Sequence, residues 1–134
     1  MEKRVVITGL GAITPIGNNV DETWKGIENK ECGIDKISLF DSSNFKTSLC
    51  AEVKNYNPLD YFEPKQAKRL DRSSQFALIA AREAVKNSGI TSENTDFKKV
   101  GIFVSTGIGG LITIQNQCEI NYENCLLYTS PSPR

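Results

Sequence analysis

The chain has 134 residues, enough for one modest domain with a real core, and 16 Lys and Arg balance 16 Asp and Glu to a net charge of zero. That balance supplies no global field for nucleic acid or an anionic membrane, and no apolar stretch reaches membrane-spanning length. Histidine is absent, which removes Ser-His and Cys-His nucleophile pairs and nearly every zinc site. The first predicted strand follows Met1 almost at once, leaving no room for an export signal, and Cys32, Cys50, Cys118 and Cys125 form no Cys-x-x-Cys pair. The expectation is a soluble, cytoplasmic α/β protein with reduced thiols.

In chain order, residues 3–17 (KRVVITGLGAITPIG) open with a run rich in β-branched residues and pass into a turn with three glycines and a proline. A continuous apolar run bounded by turn residues reads as a strand buried on both faces. The turn does not match a dinucleotide fingerprint. Gly9 and Gly11 supply the first two glycines of Gly-x-Gly-x-x-Gly, but Thr14 stands where the third is needed for close helix–strand packing. No Gly-Lys-Ser/Thr appears either, so the glycines read as architectural rather than phosphate-binding.

Asn19 is predicted as an N-cap with Glu22 as its capping-box partner, and Val20, Trp24 and Ile27 share one face of the helix that follows. Residues 34–43 read as loop, with turn chemistry at Asp41, Ser42 and Ser43. Residues 47–53 alternate as an edge strand that ends at Asn57 and Pro58. Pro64 suits the first turn of a short basic helix carrying Lys65, Lys68 and Arg69 on one face, with Arg72 nearby.

Residues 71–88 read as a helix with almost no polar face in its middle, and Gly89 is placed to stop it. A polar connection over 91–99 leads to a second buried-strand run at 100–104, the turn STGIGG, and a helix to about Glu123 with Leu111, Ile114 and Cys118 on one face. Strand–helix alternation of this kind argues for a parallel or mixed sheet with helical crossovers. Two strands alone leave both sheet edges open and the apolar helix under-covered, so the chain reads as an opening portion of a larger domain.

The segments KRVVITGLGAITPIGN, FDSSNF, KRLDRSSQFAL with AAREAVKNSGI, and VGIFVSTGIGG together resemble the β-ketoacyl-[acyl carrier protein] synthases, synthase II in particular. The resemblance spans residues 1–123 and implies the N-terminal part of a thiolase-like fold, incomplete at its end. It also implies a decarboxylative Claisen condensation. An acyl group held on a cysteine as a thioester is joined to malonyl carried on acyl carrier protein, in fatty-acid elongation.

In the family the nucleophilic cysteine, two histidines and a supporting lysine lie downstream of the matched region, so the resemblance assigns no catalytic residue here and implies no cofactor. Two other roles do carry over. Ile108, between Gly107 and Gly109, matches the position that lines and gates the acyl pocket; the plainer alternative is a core isoleucine on a tight strand–helix turn. Lys65, Lys68 and Arg69 match the segment that helps dock the acidic carrier protein; the plainer alternative is a solvated helix face.

The resemblance further implies a homodimer for the full-length enzyme, and an isolated fragment that is inactive. Residues 124–134, ending CLLYTSPSPR, depart from the family pattern and look like translated sequencing adapter, with a short disordered extension as the alternative. Two other functions stay open: a non-catalytic, chain-length-factor-like or carrier-binding relative, and a nucleotide-binding oxidoreductase, which Thr14 argues against.

Overall fold

The computed structural model of the chain describes residues 4–124. Its elements, in order, are helix α1 (Val20–Glu28), strands β1 (Ile34–Lys36) and β2 (Leu49–Ala51), helix α2 (Pro64–Arg69), helix α3 (Arg72–Ser88) and helix α4 (Leu111–Asn124), with single 3-10 turns at Pro58–Asp60 and Phe97–Lys99. Cys125 and the remainder of the predicted tail lie outside the described residues.

Helix α3 is the member on which the others are hung. Asp71 caps it by accepting from the Ser73 N–H, and Gly89 ends it in the left-handed region at φ 67° with its N–H on the Lys86 carbonyl, as the sequence predicts. One side of α3 receives the glycine-rich turn. A Cβ on Gly9 would sit 2.7 Å from the Ser88 nitrogen and one on Gly11 2.9 Å from the Ala84 nitrogen, with the Ala84 and Ala80 carbonyls nearer still. Backbone against backbone leaves nothing that can give way, so only glycine fits. The Leu10 carbonyl accepts from the Asn87 amide on the same side at 2.9 Å. These glycines are therefore packing residues.

Thr14, which breaks the dinucleotide pattern, ties the turn together. Its backbone exchanges hydrogen bonds with Gly17, and its hydroxyl accepts from the Ile16 N–H at 3.3 Å and lies 3.1 Å from the Thr23 hydroxyl. The α1 cap forms with one change: Asn19 accepts from the Glu22 N–H, while the Glu22 carboxylate accepts from Asn18 rather than from Asn19 itself. The face of α1 that packs is not the predicted apolar stripe. Gly26 is buried against Ile16, whereas Trp24 and Ile27 stay exposed, the Trp24 indole N–H donating along the helix to Glu28 at 3.0 Å.

The edge strand expected at 47–53 is present as β2, and its partner β1 lies in a stretch read as loop. The pair is antiparallel, with Ile34 opposite Ala51 and Lys36 opposite Leu49. Three residues with one apolar side chain give no periodic signal. Glu52 supports the pair by accepting from the Ser38 N–H and hydroxyl. The Asp41 turn forms as predicted, its carboxylate accepting from the Ser43 N–H, and brings Phe40 and Phe45 edge to face at 5.5 Å.

The predicted buried strands at 5–8 and 100–104 are in no sheet among the described residues. A strand acquires its hydrogen bonds only from a neighbour, and neither run has one here. Both apolar surfaces are open: Ile7 is 83% exposed and Phe103 97%. The small interior is formed instead where α3 meets the segment before α2, with Phe62, Ile79 and Gln75 as its buried side chains. No helix among the described residues is long and apolar enough to cross a membrane.

Candidate functional site

The residues singled out in the sequence fall at the beginning of α3, attached to it from two directions. On one side stands the short helix α2. Lys65, Lys68 and Arg69 are exposed on it and have no ion-pair partner among the described residues. What holds α2 is Gln75 of α3, 5% exposed, whose amide donates to the Ala67 carbonyl at 2.9 Å and to the Leu70 carbonyl at 3.0 Å. Those carbonyls belong to the last turn of α2 and to the residue after it, where a helix lacks partners of its own. The Gln75 oxygen is in turn occupied by the Tyr56 hydroxyl at 2.6 Å, so the buried amide is satisfied on every side.

Arg72 does not join the basic face. Its guanidinium donates to the Val53 carbonyl at 3.1 Å and lies 5.2 Å from the Tyr56 ring centroid and 5.0 Å from that of Phe76. Burial raises the Tyr56 hydroxyl above its ordinary value, and the nearby Arg72 charge works the other way.

On the other side is the glycine turn. Ile108 is 72% exposed and forms one wall of a cavity of about 250 Å³ shared with Asp71, Phe76, Leu111 and Ile112. Gly110 turns the chain into α4 at φ 81°. The Asp71 carboxylate closes this corner. One oxygen accepts from the Ser73 N–H and hydroxyl, the other from the Thr113 hydroxyl at 2.8 Å and the Thr113 N–H at 3.4 Å. Asp71 therefore caps α3 and the first turn of α4 together. Its carboxyl lies below the ordinary aspartate range, chiefly because of the Ser73 N–H and next the Thr113 hydroxyl.

Asp71 at the cap of α3 and Gln75 and Glu83 within it each bind a different neighbouring element. The sequence reading passed over them because the helix around them is mainly apolar. Their signal was that very contrast, since a polar side chain within such a helix needs a partner from another element.

Cys32, Cys50 and Cys118 are free thiols. Burial pushes the Cys50 thiol up and the Glu52 charge adds to the rise, the reverse of an activating environment. Among the described residues no group of three or more His, Cys, Asp or Glu could hold a metal ion.

The family model for the β-ketoacyl synthase N-terminal domain matches residues 2–130. The chain belongs to the β-ketoacyl synthase family. It is 42% identical over 113 residues to 3-oxoacyl-[acyl-carrier-protein] synthase 2 of Staphylococcus aureus (strain N315), an alignment covering 84% of this chain and 27% of that protein. The protein of the same name from Synechocystis sp. is 38% identical over 116 residues, covering 87% of this chain and 28% of the relative. The chain thus spans little more than a quarter of the length of the curated relatives it matches.

Among solved structures, the ishigamide ketosynthase/chain length factor is similar with a TM-score of 0.70 and 27% identity over 90% of this chain and 30% of the other. A type II PKS acyl-carrier protein in complex with its ketosynthase bound to the hexaketide gives 0.73 and 24% identity over 98% of this chain and 35% of the other, a likeness of fold. The expected thiolase-like α/β class, present in part, is the fold of these ketosynthases.

Proposed function

We propose that this chain is the N-terminal part of a 3-oxoacyl-[acyl carrier protein] synthase that elongates fatty acyl chains. The observation that carries the reading is 42% identity across 84% of the chain to a synthase of that name. In the reaction, a cysteine thiolate takes the acyl group from its carrier and becomes a thioester. Malonyl on acyl carrier protein loses carbon dioxide, and the resulting carbanion attacks the thioester carbonyl. The carbon–carbon bond forms as the cysteine sulfur leaves, giving a 3-oxoacyl carrier and free enzyme. Two histidines outside this chain stabilise the charge that develops on the thioester oxygens.

Within that reaction the chain contributes framework, access and recruitment. The apolar runs at 5–8 and 100–104, exposed here, are sheet strands that the rest of the protein covers. Ile108 lines the acyl channel at its glycine turn and gates entry by changing rotamer or by swinging with the loop. Lys65, Lys68 and Arg69 meet the acidic recognition helix of acyl carrier protein, where complementary charge raises the encounter rate and sets orientation. The full-length enzyme is a cytoplasmic homodimer, and the chain by itself is inactive. The family segment ends near residue 123, and 124–134 is foreign to it; the family match reaching residue 130 is the observation against that boundary.

A second reading is a chain-length-factor-like partner without the nucleophile, favoured by the similarity to the ishigamide ketosynthase/chain length factor. Incubating the full-length protein with acyl-[acyl carrier protein] and weighing it by mass spectrometry separates the two. The synthase gains one acyl mass on a cysteine; a protein that binds the carrier but never acquires the acyl group is the non-catalytic relative.

A further inference from the structure

The turn that carries Ile108 has little to fix its shape from within. Gly107, Gly109 and Gly110 surround the isoleucine, and glycine leaves backbone angles free. What fixes it comes from α3. A Cβ on Gly109 would meet the Ser73 hydroxyl at 3.2 Å, so the turn lies against the first turn of α3 there. Just beyond, Thr113 is bound through hydroxyl and N–H to the Asp71 carboxylate. Ile108 and Asp71 wall the same cavity of about 250 Å³.

A helix needs its cap at its own N-terminus, and Asp71 already meets that need of α3 with one oxygen, which accepts from the Ser73 N–H. The second oxygen reaches across forty-two residues of sequence to a different helix. We propose that Asp71 is a positioning residue for acyl-chain selection: through Thr113 it sets where the Ile108 turn rests, and so how much of the channel is open before a chain enters. This rests on the reading of Ile108 as the channel-lining residue. Breaking the tether frees the turn, so long acyl chains that must displace Ile108 gain relative to short ones.

The test uses the full-length protein and compares kcat/KM for long and short acyl-carrier primers, with kcat and KM resolved separately, in Thr113→Val, Thr113→Ser, Asp71→Asn and Ile108→Ala. The expected result is a change of roughly threefold or more in the long-to-short ratio for Thr113→Val and Asp71→Asn, carried mainly by KM, with Thr113→Ser near the parent because it keeps the hydroxyl. A merely structural role would lower both substrates equally. Thr113→Val keeps the α3 cap intact, so the test survives an Asp71 variant that fails to fold. If Ile108→Ala shifts the ratio and Thr113→Val does not, or Thr113→Ser shifts it as far as Thr113→Val, the tether is refuted while the channel reading stands. If Ile108→Ala leaves the ratio unchanged, the channel reading fails and the tether's role in selection fails with it.

Discussion

The Ala12 N–H donates to the Glu83 carboxylate at 2.9 Å across seventy-one residues of sequence, and the other Glu83 oxygen accepts from the Val20 N–H at 3.0 Å. One side chain of α3 thus holds both the chain just after Gly11 and the first residue of α1. Val20 is the first residue of α1, where an N–H has no helical partner and a negative charge is favoured. Glu83→Ala leaves both N–H groups without this acceptor and is expected to cost about 2 kcal/mol of stability in the full-length protein, read by urea unfolding. Glu83→Gln keeps one acceptor oxygen and loses less. Equal stability of Glu83→Ala and the parent contradicts the bridge.

Gln75 plays the matching part at the other end of α3. Replacing it with leucine keeps the volume but strands the Tyr56 hydroxyl and the Ala67 and Leu70 carbonyls. The expected loss is about 1–3 kcal/mol, with weaker acyl carrier protein binding because α2 is no longer held in place. Stability and carrier affinity both unchanged would show that α2 is positioned by something else.

Acid sensitivity has a defined sign at Asp71. Its folded carboxyl titrates below the ordinary aspartate value of 3.8, so the stability it adds is fully present above 3.8 and is lost as pH falls through the lower, folded value. Asp35, lowered by Lys54, and Glu52, lowered by the Ser38 hydroxyl, act in the same direction. Tm of the full-length protein is expected to fall on acidification below 4.5, where the Glu52 contribution begins to go, and further below 3.8, with Asp71→Asn showing a shallower fall there. Parallel Tm profiles for the two proteins contradict this assignment.

The basic face of α2 gives a charge test. Lys65→Glu with Arg69→Glu is expected to weaken acyl carrier protein binding by roughly tenfold at low salt, with a smaller difference as ionic strength rises. Binding is read by calorimetry, and fold integrity by the unchanged Tm of this exposed double variant. Unchanged affinity at low salt would leave the patch as a solvated helix face.

Much of this framework was legible in the sequence because its signals are local. Asn19, Asp41, Pro64 and Gly89 each act within a few residues of themselves, and each forms the cap or turn it predicts. Thr14 and the close approach of Gly9 and Gly11 to α3 agree with architectural glycines. Long-range partners were not legible. Nothing near Glu83 or Gln75 names the backbone groups each would serve, and nothing near Arg72 announces its aromatic neighbours. Short β1 has too few residues for a period. Trp24 and Ile27 of α1 and the runs at 5–8 and 100–104 have strong patterns but little cover among the described residues, because a hydrophobic pattern specifies burial without naming what supplies it.

The most direct test of the central claim is the condensation itself. Full-length protein supplied with acyl- and malonyl-[acyl carrier protein] should release carbon dioxide and form one 3-oxoacyl carrier, lengthened by two carbons, for each molecule released. Carbon dioxide released without an elongated carrier, or neither product from a folded protein that binds the carrier, would contradict it.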